Sequence, residues 1–89
     1  MKAIITVIGK DTVGILAKVS QACATDNANI IEVTQSVLQD MFAMVMLVEF
    51  SDSKINFEKL RSDLEKVGEE TATKIHVMHE DIFNSMHKI

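Results

Sequence analysis

The spacing of hydrophobic side chains along the chain switches between the period of two that is typical of strands and the 3.6-residue period of helices. Residues 2–8 are rich in β-branched side chains and stop at a glycine, which predicts a first strand and a loop over residues 9–14. One face of the helix predicted next is apolar: Ile15, Leu16, Val19, Ala22 and Cys23. We expect Thr12 to cap this helix and the polar pair Asp26-Asn27 to end it.

Two strands joined by a short turn are predicted after this helix. Residues 29–38 alternate between polar and apolar side chains, which predicts a half-buried strand. The apolar side chains on one of its faces are Ile31, Val33 and Val37. Only Gln39-Asp40 separates this strand from residues 41–48, so the two should form an antiparallel hairpin. Because residues 41–48 are apolar on both faces, we expect the third strand in the middle of the sheet.

The second half of the chain predicts a helix, a strand and a helical tail. Asn56 is placed to cap the helix, with a contact between Ile55 and Leu60 around the cap, and Gly68 is the expected stop. The buried stripe of this helix is Phe57, Leu60, Leu64 and Val67. Residues 71–79 alternate again and predict a fourth strand. The tail has apolar residues at helical spacing: Ile82, Phe83 and Met86.

The order βαββαβ plus a tail predicts one α+β domain of ferredoxin-like architecture. Right-handed crossovers place both helices on one face of a four-stranded antiparallel sheet, with the first and third strands in the middle. We assign residues 1–80 to this domain and residues 81–89 to a C-terminal helical tail. Since many unrelated functions use this fold, the architecture alone selects none of them.

Composition narrows the classes of function. With 47% hydrophobic residues, 25% charged residues and a net charge of −4, the chain suits neither intrinsic disorder nor binding to nucleic acid or an anionic membrane. The one cysteine, Cys23, excludes an internal disulfide framework and a multi-cysteine zinc site, and we expect it in the core. The longest apolar run, residues 41–48, is far shorter than the roughly 20 residues that span a bilayer. The N-terminus has no signal-peptide pattern, so we expect a soluble cytoplasmic protein.

Candidate catalytic and metal-binding side chains are sparse. No nucleophile lies in a sequence context that pairs it with a base, so we expect no enzyme activity and no cofactor. His76 and His79 are three residues apart and would face opposite sides of a strand, which argues against a metal site built with His87. An RNA-binding sheet needs aromatic and basic side chains on its central strands, whereas Phe42 and Phe50 have no lysine or arginine between them.

The loop before the first helix carries the most specific pattern in the chain. Asp11, Gly14 and Leu16 follow the spacing Asp-x-x-Gly-x-Leu, and Asn29-Ile30-Ile31 opens the second strand. Together with the order of elements, these residues resemble the ACT domain family over roughly the first 80 residues. The family often has a proline before the glycine, where this chain has Val13. The resemblance implies a stand-alone regulatory domain that binds amino acids or other small molecules, similar to small bacterial proteins of which some are related to repressors of glycine-cleavage genes.

A physical argument supports a ligand at this loop. Backbone N–H groups in the first turn of a helix lack acceptors and attract an anion such as an α-carboxylate, which Gly14 would let approach closely. Asp11 is suited to an α-ammonium group, and Asn29 can both donate and accept a hydrogen bond. The resemblance implies that the second-strand residues come from a neighbouring subunit. The expected ligand site therefore comprises Asp11, Thr12, Val13, Gly14, Ile15 and Leu16, with Asn29 and Ile30 across the interface.

Alternative interpretations stand beside this site. Asp11 has an equal claim to a role in capping the helix, and Asn29 to a role in the turn before the strand. A second functional hypothesis is a ligand-free module that dimerises and binds an unidentified protein partner, and a third is RNA binding by the open sheet face. The central strands are apolar on both faces and two helices can cover only one of them, so we expect a homodimer or a higher homo-oligomer.

Overall fold

The computed structural model describes residues 1–10, 13–50 and 54–86 of the chain. Its helices and strands are, in order, β1 (Lys2–Lys10), α1 (Ile15–Thr25), β2 (Asn29–Leu38), β3 (Met41–Glu49), α2 (Lys54–Thr71), β4 (Thr73–His79) and α3 (Glu80–Met86). This order confirms the predicted βαββαβ arrangement with a short C-terminal helix. The fold is α+β and ferredoxin-like, with both long helices packed on one antiparallel sheet.

The sheet has the strand order β2-β3-β1-β4, and every neighbouring pair is antiparallel. β1 and β3 are therefore the central strands, as predicted, and β2 and β4 are the edges. Val7 on β1 stands beside Met44 on β3 and Ile75 on β4, which fixes the register across the middle of the sheet. Side chains in one such row point to the same face, so the buried rows locate the core.

The core lies between one face of the sheet and the helices α1 and α2. Alternate residues of β3 are buried in it: Phe42, Met44, Met46 and Val48. The helices supply the opposite wall, whose most buried side chains are Ile15, Val19, Cys23, Leu60 and Leu64. Val45 and the other side chains that alternate with the buried ones on β3 point away from the helices. α1 and α2 thus cover one face of the sheet and leave the other face open.

Several element boundaries differ from their predictions, and β4, for example, begins at Thr73 instead of residue 71. β1 continues past Ile8 to Lys10, because the last two residues still pair with β3. α2 begins at Lys54, so Asn56 lies inside the helix and does not cap it, contrary to the prediction. The predicted contact of Ile55 around that cap involves a side chain outside the described part of the structure.

The prediction that Gly68 ends the second helix is wrong. α2 continues to Thr71, whose hydroxyl donates to the carbonyl of Val67 at 2.8 Å, and Ala72 with φ +56° then ends it. Gly68 serves close packing, because a Cβ atom there would come within 3.0 Å of the carbonyl oxygen of Thr73. A glycine that permits close approach and a glycine that stops a helix have the same local sequence signature.

The prediction that β2 is half-buried is also wrong for the single chain. The three apolar residues predicted to face inward, Ile31, Val33 and Val37, are between 39% and 54% exposed. A β-bulge between Ile30 and Glu32 breaks the simple alternation. In addition, α1 makes only limited contact with β2, whereas α2 packs along β4 on the other edge. β2 is therefore an exposed edge strand with apolar side chains.

Candidate functional site

The turn between β1 and α1 is shaped by a left-handed glycine. Gly14 has φ +92° and ψ 2°, and it is the residue that precedes the first turn of α1. Gly14 occupies the N-cap position and no side chain of the described residues caps this helix end, so the capping by Thr12 stays a prediction. The first N–H groups of α1 point out of the helix without an intrahelical acceptor. Asp11 and Thr12 themselves lie outside the described residues.

Of the described residues in the predicted loop site, one is buried in the core and the others lie at the surface. Ile15 is 2% exposed and packs in the core, so only its backbone is available to a ligand. Val13 and Leu16 are exposed. Among the described residues, no heavy atom comes within 4 Å of the position that a Cβ atom on Gly14 would occupy. The backbone at this turn is therefore open to close approach from outside.

The second half of the predicted site lies at the opposite end of the same chain. Asn29 is exposed and pairs in register with Glu49, at the end of the sheet where β1 begins. The loop leaves β1 at Lys10, which is beside Met41 at the other end. Nine strand residues separate these ends, or roughly 27 Å at the usual rise per residue. One chain therefore does not bring Asn29 to the Gly14 turn.

Ile30 has a structural role in the single chain. Its side chain is half-buried and packs against the core cluster, and the β-bulge begins directly after it. Of the two predicted residues on β2, Asn29 presents a polar side chain at the surface, whereas Ile30 offers its backbone alone.

A charged cluster links the C-terminal end of α1 to α2. The Asp26 side chain is 1% exposed, and the Lys59 ammonium lies 2.6 Å from its Oδ1 and 3.3 Å from Asp63 Oδ2. The other carboxylate oxygen of Asp26 has no hydrogen-bond partner among the described residues. Burial, assisted by the neighbouring Asp63, raises the pKa of Asp26, while Lys59 opposes that shift. The neighbouring Asp26 and Lys59 lower the pKa of Asp63, a shift opposite in direction to that of Asp26.

Sequence reasoning missed this cluster. Asp26 was expected only to end the first helix, and it does occupy the C-cap of α1. Its partner Lys59 is 33 residues away in sequence, and only the packing of α1 on α2 brings the two together. Asp26 is also three residues before Asn29, so the cluster fixes the turn that leads into β2.

The remaining candidate groups are accounted for by the fold. Cys23 is fully buried in the core, as predicted, and burial together with the charge of Asp26 raises its pKa to about 11. His76 and His79 lie in register with Thr6 and Ala3, on opposite faces of the sheet. Among the described residues, no three His, Cys, Asp or Glu side chains are grouped closely enough to hold a metal ion.

Two further surface properties bear on function. Phe42 and Phe50 are each 6% exposed and belong to the core, so they provide no stacking platform on the open face of the sheet. A groove of about 530 Å³ runs between α1 and α2 and is lined by charges of both signs, including Lys18, Lys66 and Glu70. This groove is on the helix side of the molecule.

In the described part of the chain, no helix is long and apolar enough to cross a membrane.

Comparison with known proteins agrees with this architecture. A family model for the ACT domain matches residues 2–78. A UPF0237 protein from Methanocaldococcus jannaschii is 44% identical over 88 residues, which cover 99% of this chain and 98% of that protein. Among solved structures, an ACT domain protein from Streptococcus pneumoniae is 43% identical, with a TM-score of 0.79 and coverage of 93% of both chains.

More distant structures share the fold within larger proteins. The regulatory subunit of aspartate kinase from Thermus thermophilus, in ligand-free form, is 28% identical with a TM-score of 0.67, over 85% of this chain and 49% of that one. A proposed glycine cleavage system transcriptional repressor is 24% identical with a TM-score of 0.74, over 85% of this chain and 43% of that one. The resemblance drawn from the loop and the order of elements is thus confirmed, and the chain belongs to the ACT domain family, whose members are regulatory, ligand-binding domains.

Proposed function

We propose that this protein is a regulatory domain of the cytoplasm that binds a small amino acid at an interface between two copies of the chain. The observation that carries the proposal is the separation of the two halves of the site. Asn29 lies at one end of the sheet and the Gly14 turn follows β1 at the other end, and the sheet is roughly 27 Å long between these ends. A symmetric pair of chains supplies both halves to the same place.

Antiparallel pairing of two β2 strands produces this juxtaposition. A two-fold axis through the middle of paired β2 edges brings the beginning of one β2 beside the end of the other. The end of β2, Leu38, is in the row of Met41 and Lys10, from which the loop departs. Asn29 of one chain then approaches the Gly14 turn of its neighbour. The exposed apolar residues of β2, Val33 and Val37 among them, would be covered in such a pair.

The chemistry at that junction matches a free amino acid. The first N–H groups of α1, which no described side chain caps, would bind the α-carboxylate, and among the described residues nothing blocks its approach to the backbone at Gly14. Asp11 would accept from the α-ammonium group, and the Asn29 amide of the neighbour would close the site. A ligand held by both chains favours the pair over the separate chains, so ligand concentration regulates assembly.

Complementation between two variants tests both the ligand and the shared site. Calorimetric titration with the twenty amino acids should identify one that binds the wild type. Asp11→Asn and Asn29→Ala should each reduce that affinity at least about tenfold, since each removes hydrogen bonds to a charged ligand. The matched control is Asn84→Ala, which removes an exposed amide from α3 and should bind like the wild type.

Mixing the two defective variants gives the decisive result. In a shared site, half of the mixed pairs are heterodimers with one intact and one doubly defective site, so roughly a quarter of the sites recover full affinity. Absence of recovery, with the heterodimer shown by native mass spectrometry, would place the site within one chain. Failure of all twenty amino acids to bind an intact dimer would reject the proposal.

The second candidate function is a ligand-free module that binds a protein partner. It is favoured by the amount of exposed apolar surface, since Val37 and Leu38 are 54% and 78% exposed at the end of β2. An intact dimer that binds no amino acid, yet recovers one specific protein in pull-downs regardless of amino-acid supply, would support this function over the first.

A further inference from the structure

The face of the sheet opposite the helices carries a continuous apolar patch, which we call the open-face patch. Its members come from β1, β3 and the end of β2: Ile8, Leu38, Met41, Ala43 and Val45. The four larger ones are between 41% and 78% exposed, which is high for aliphatic side chains on three neighbouring strands. Their register rows are adjacent, so the patch is contiguous toward the β2–β3 hairpin.

Uncharged polar side chains share the rows of the patch, with Ser36 beside Ala43 and with Thr6 and Thr34 beside Val45, whereas the charged groups of this face lie around it. Lys10 lies at the end of β1, Glu32 on the edge strand β2, and Lys74 and His76 on the edge strand β4. The rim therefore carries both signs of charge, while the centre carries none. A neutral apolar centre with a mixed polar rim is the usual composition of an interface between proteins.

We propose that the open-face patch binds the same patch of a second copy, so that two β2-paired dimers stack face to face as a tetramer. This inference rests on the proposed function for the β2 pairing. Pairing through β2 puts the helices of both chains on one side of a continuous sheet and both open faces on the other. The dimer then has a doubled apolar face that α1 and α2 do not cover; among the described elements α3 contacts β1, and Ile4 at the far end of this face is 8% exposed.

The area of the face agrees with a stable interface. Four strands spaced about 4.8 Å apart and roughly 27 Å long give a face of roughly 500 Å² per chain. Two stacked single faces would remove roughly 1,000 Å² from water, the lower limit for a specific interface. Two stacked dimers would remove roughly 2,000 Å², which is well within the range of permanent assemblies.

A second copy also explains why the central strands are apolar on both sides. Strands buried on both faces are continuous apolar runs, whereas strands with one wet face alternate with polar residues. Met41 to Val48 is such a continuous run, although the helices cover only its even-numbered side chains. Face-to-face stacking at about 10 Å between sheets buries the odd-numbered ones in the same way. Closed assemblies with two perpendicular two-fold axes are the commonest tetramers.

The test is the mass of the assembly in sedimentation equilibrium at high micromolar concentration. The wild type, with a chain of 9.9 kDa, should be a tetramer, and Val45→Lys should be a dimer that still binds the ligand of the β2 interface. Val45→Thr keeps a β-branched strand residue and should weaken the tetramer at least tenfold without unfolding the chain. The matched control is Ala24→Lys, an exposed position on α1, which should leave the tetramer intact.

Each outcome separates this inference from the proposed function. A wild type that stays dimeric at all concentrations, or a Val45→Lys variant that stays tetrameric, would overturn the stacking. A Val45→Lys variant that becomes monomeric would show that the open face is the dimer interface, which overturns the β2 pairing and the tetramer. A wild type that forms the tetramer but binds none of the twenty amino acids would contradict the proposed function and leave the stacking intact.

Discussion

The two faces of β3 have nearly the same chemistry and opposite environments. Met44 and Met46 are 1% and 0% exposed beneath the helices, while Met41 and Val45, on the other side of the same strand, are 47% and 41% exposed. Apolar character therefore did not decide which face became the core; the right-handed crossovers of α1 and α2 did. The sequence of β3 favours burial on both sides, but the chain buries only one of them. The question is therefore what covers the other side.

The largest expected contrast between the two faces is in thiol reactivity. The native Cys23 lies beneath α1 with a pKa of about 11, so at pH 8 it should react with a disulfide reagent only when the chain opens. Val45→Cys in a Cys23→Ala background places a thiol on the exposed face. Its reaction in dilute protein should be more than about 1,000-fold faster than that of Cys23, given ordinary domain stability.

Concentration dependence makes this comparison a second probe of the open face. The labelling rate of the thiol introduced at position 45 should fall as protein concentration rises if copies stack on this face. An introduced thiol that is as protected as Cys23 in dilute protein would mean that the single chain covers its own open face.

The next contrast is in the free energy of unfolding. Met46→Ala removes a fully buried side chain and should destabilise the chain by about 2–5 kcal/mol. Val45→Ala, one residue away on the same strand, removes a half-exposed side chain and should cost less than about 1 kcal/mol in dilute protein. Urea denaturation of both variants measures the difference. Equal costs would show that the open face is packed in the species that unfolds.

The contrast between buried and exposed apolar side chains also explains which elements of the fold the sequence could predict. Periodicity located all six core elements and the central strands, because β1 is rich in β-branched residues and β3 is apolar on both faces. It failed for β2, where the alternation of Ile31, Val33 and Val37 predicts a buried face that a single chain does not supply. Under the proposed pairing of two β2 strands, the neighbouring chain would supply the burial that this alternation predicts.

Predictions from local sequence also failed where the role of a residue depends on a contact with another element of the fold. Gly68 has the sequence context of a helix stop, but its missing side chain makes room for the backbone of Thr73. Asp26 has the context of a turn, but its carboxylate is buried against Lys59 of the second helix. Of the predicted ligand site, the sequence located the Gly14 turn correctly, whereas the opposite placement of Asn29 required the sheet register.

The smallest expected effect is on the pH dependence of the free energy of unfolding. It tests whether the Asp26 cluster influences only the side of the sheet that the helices cover. Burial raises the pKa of Asp26 above its ordinary value of 3.8, so the folded chain holds this proton more tightly than the unfolded chain does. That contribution to stability is fully present below pH 3.8 and is lost as the pH rises through the folded pKa. Asp63 has the opposite sign, because its lowered pKa contributes stability above pH 3.8 that is lost as the pH falls through its folded pKa.

Asp26→Asn removes the first of these contributions and keeps the shape of the side chain. Relative to the wild type, the variant should gain stability as the pH rises from 3.8 through the folded pKa of Asp26, measured by urea denaturation at each pH. The control Asp81→Asn changes an exposed carboxylate on α3 and should run parallel to the wild type. A curve for Asp26→Asn that also runs parallel would mean that Asp26 ionises as freely in the folded chain as in the unfolded one. The labelling rate at position 45 should not change in Asp26→Asn, because the cluster joins α1 to α2 on the covered side and has no contact with the open face.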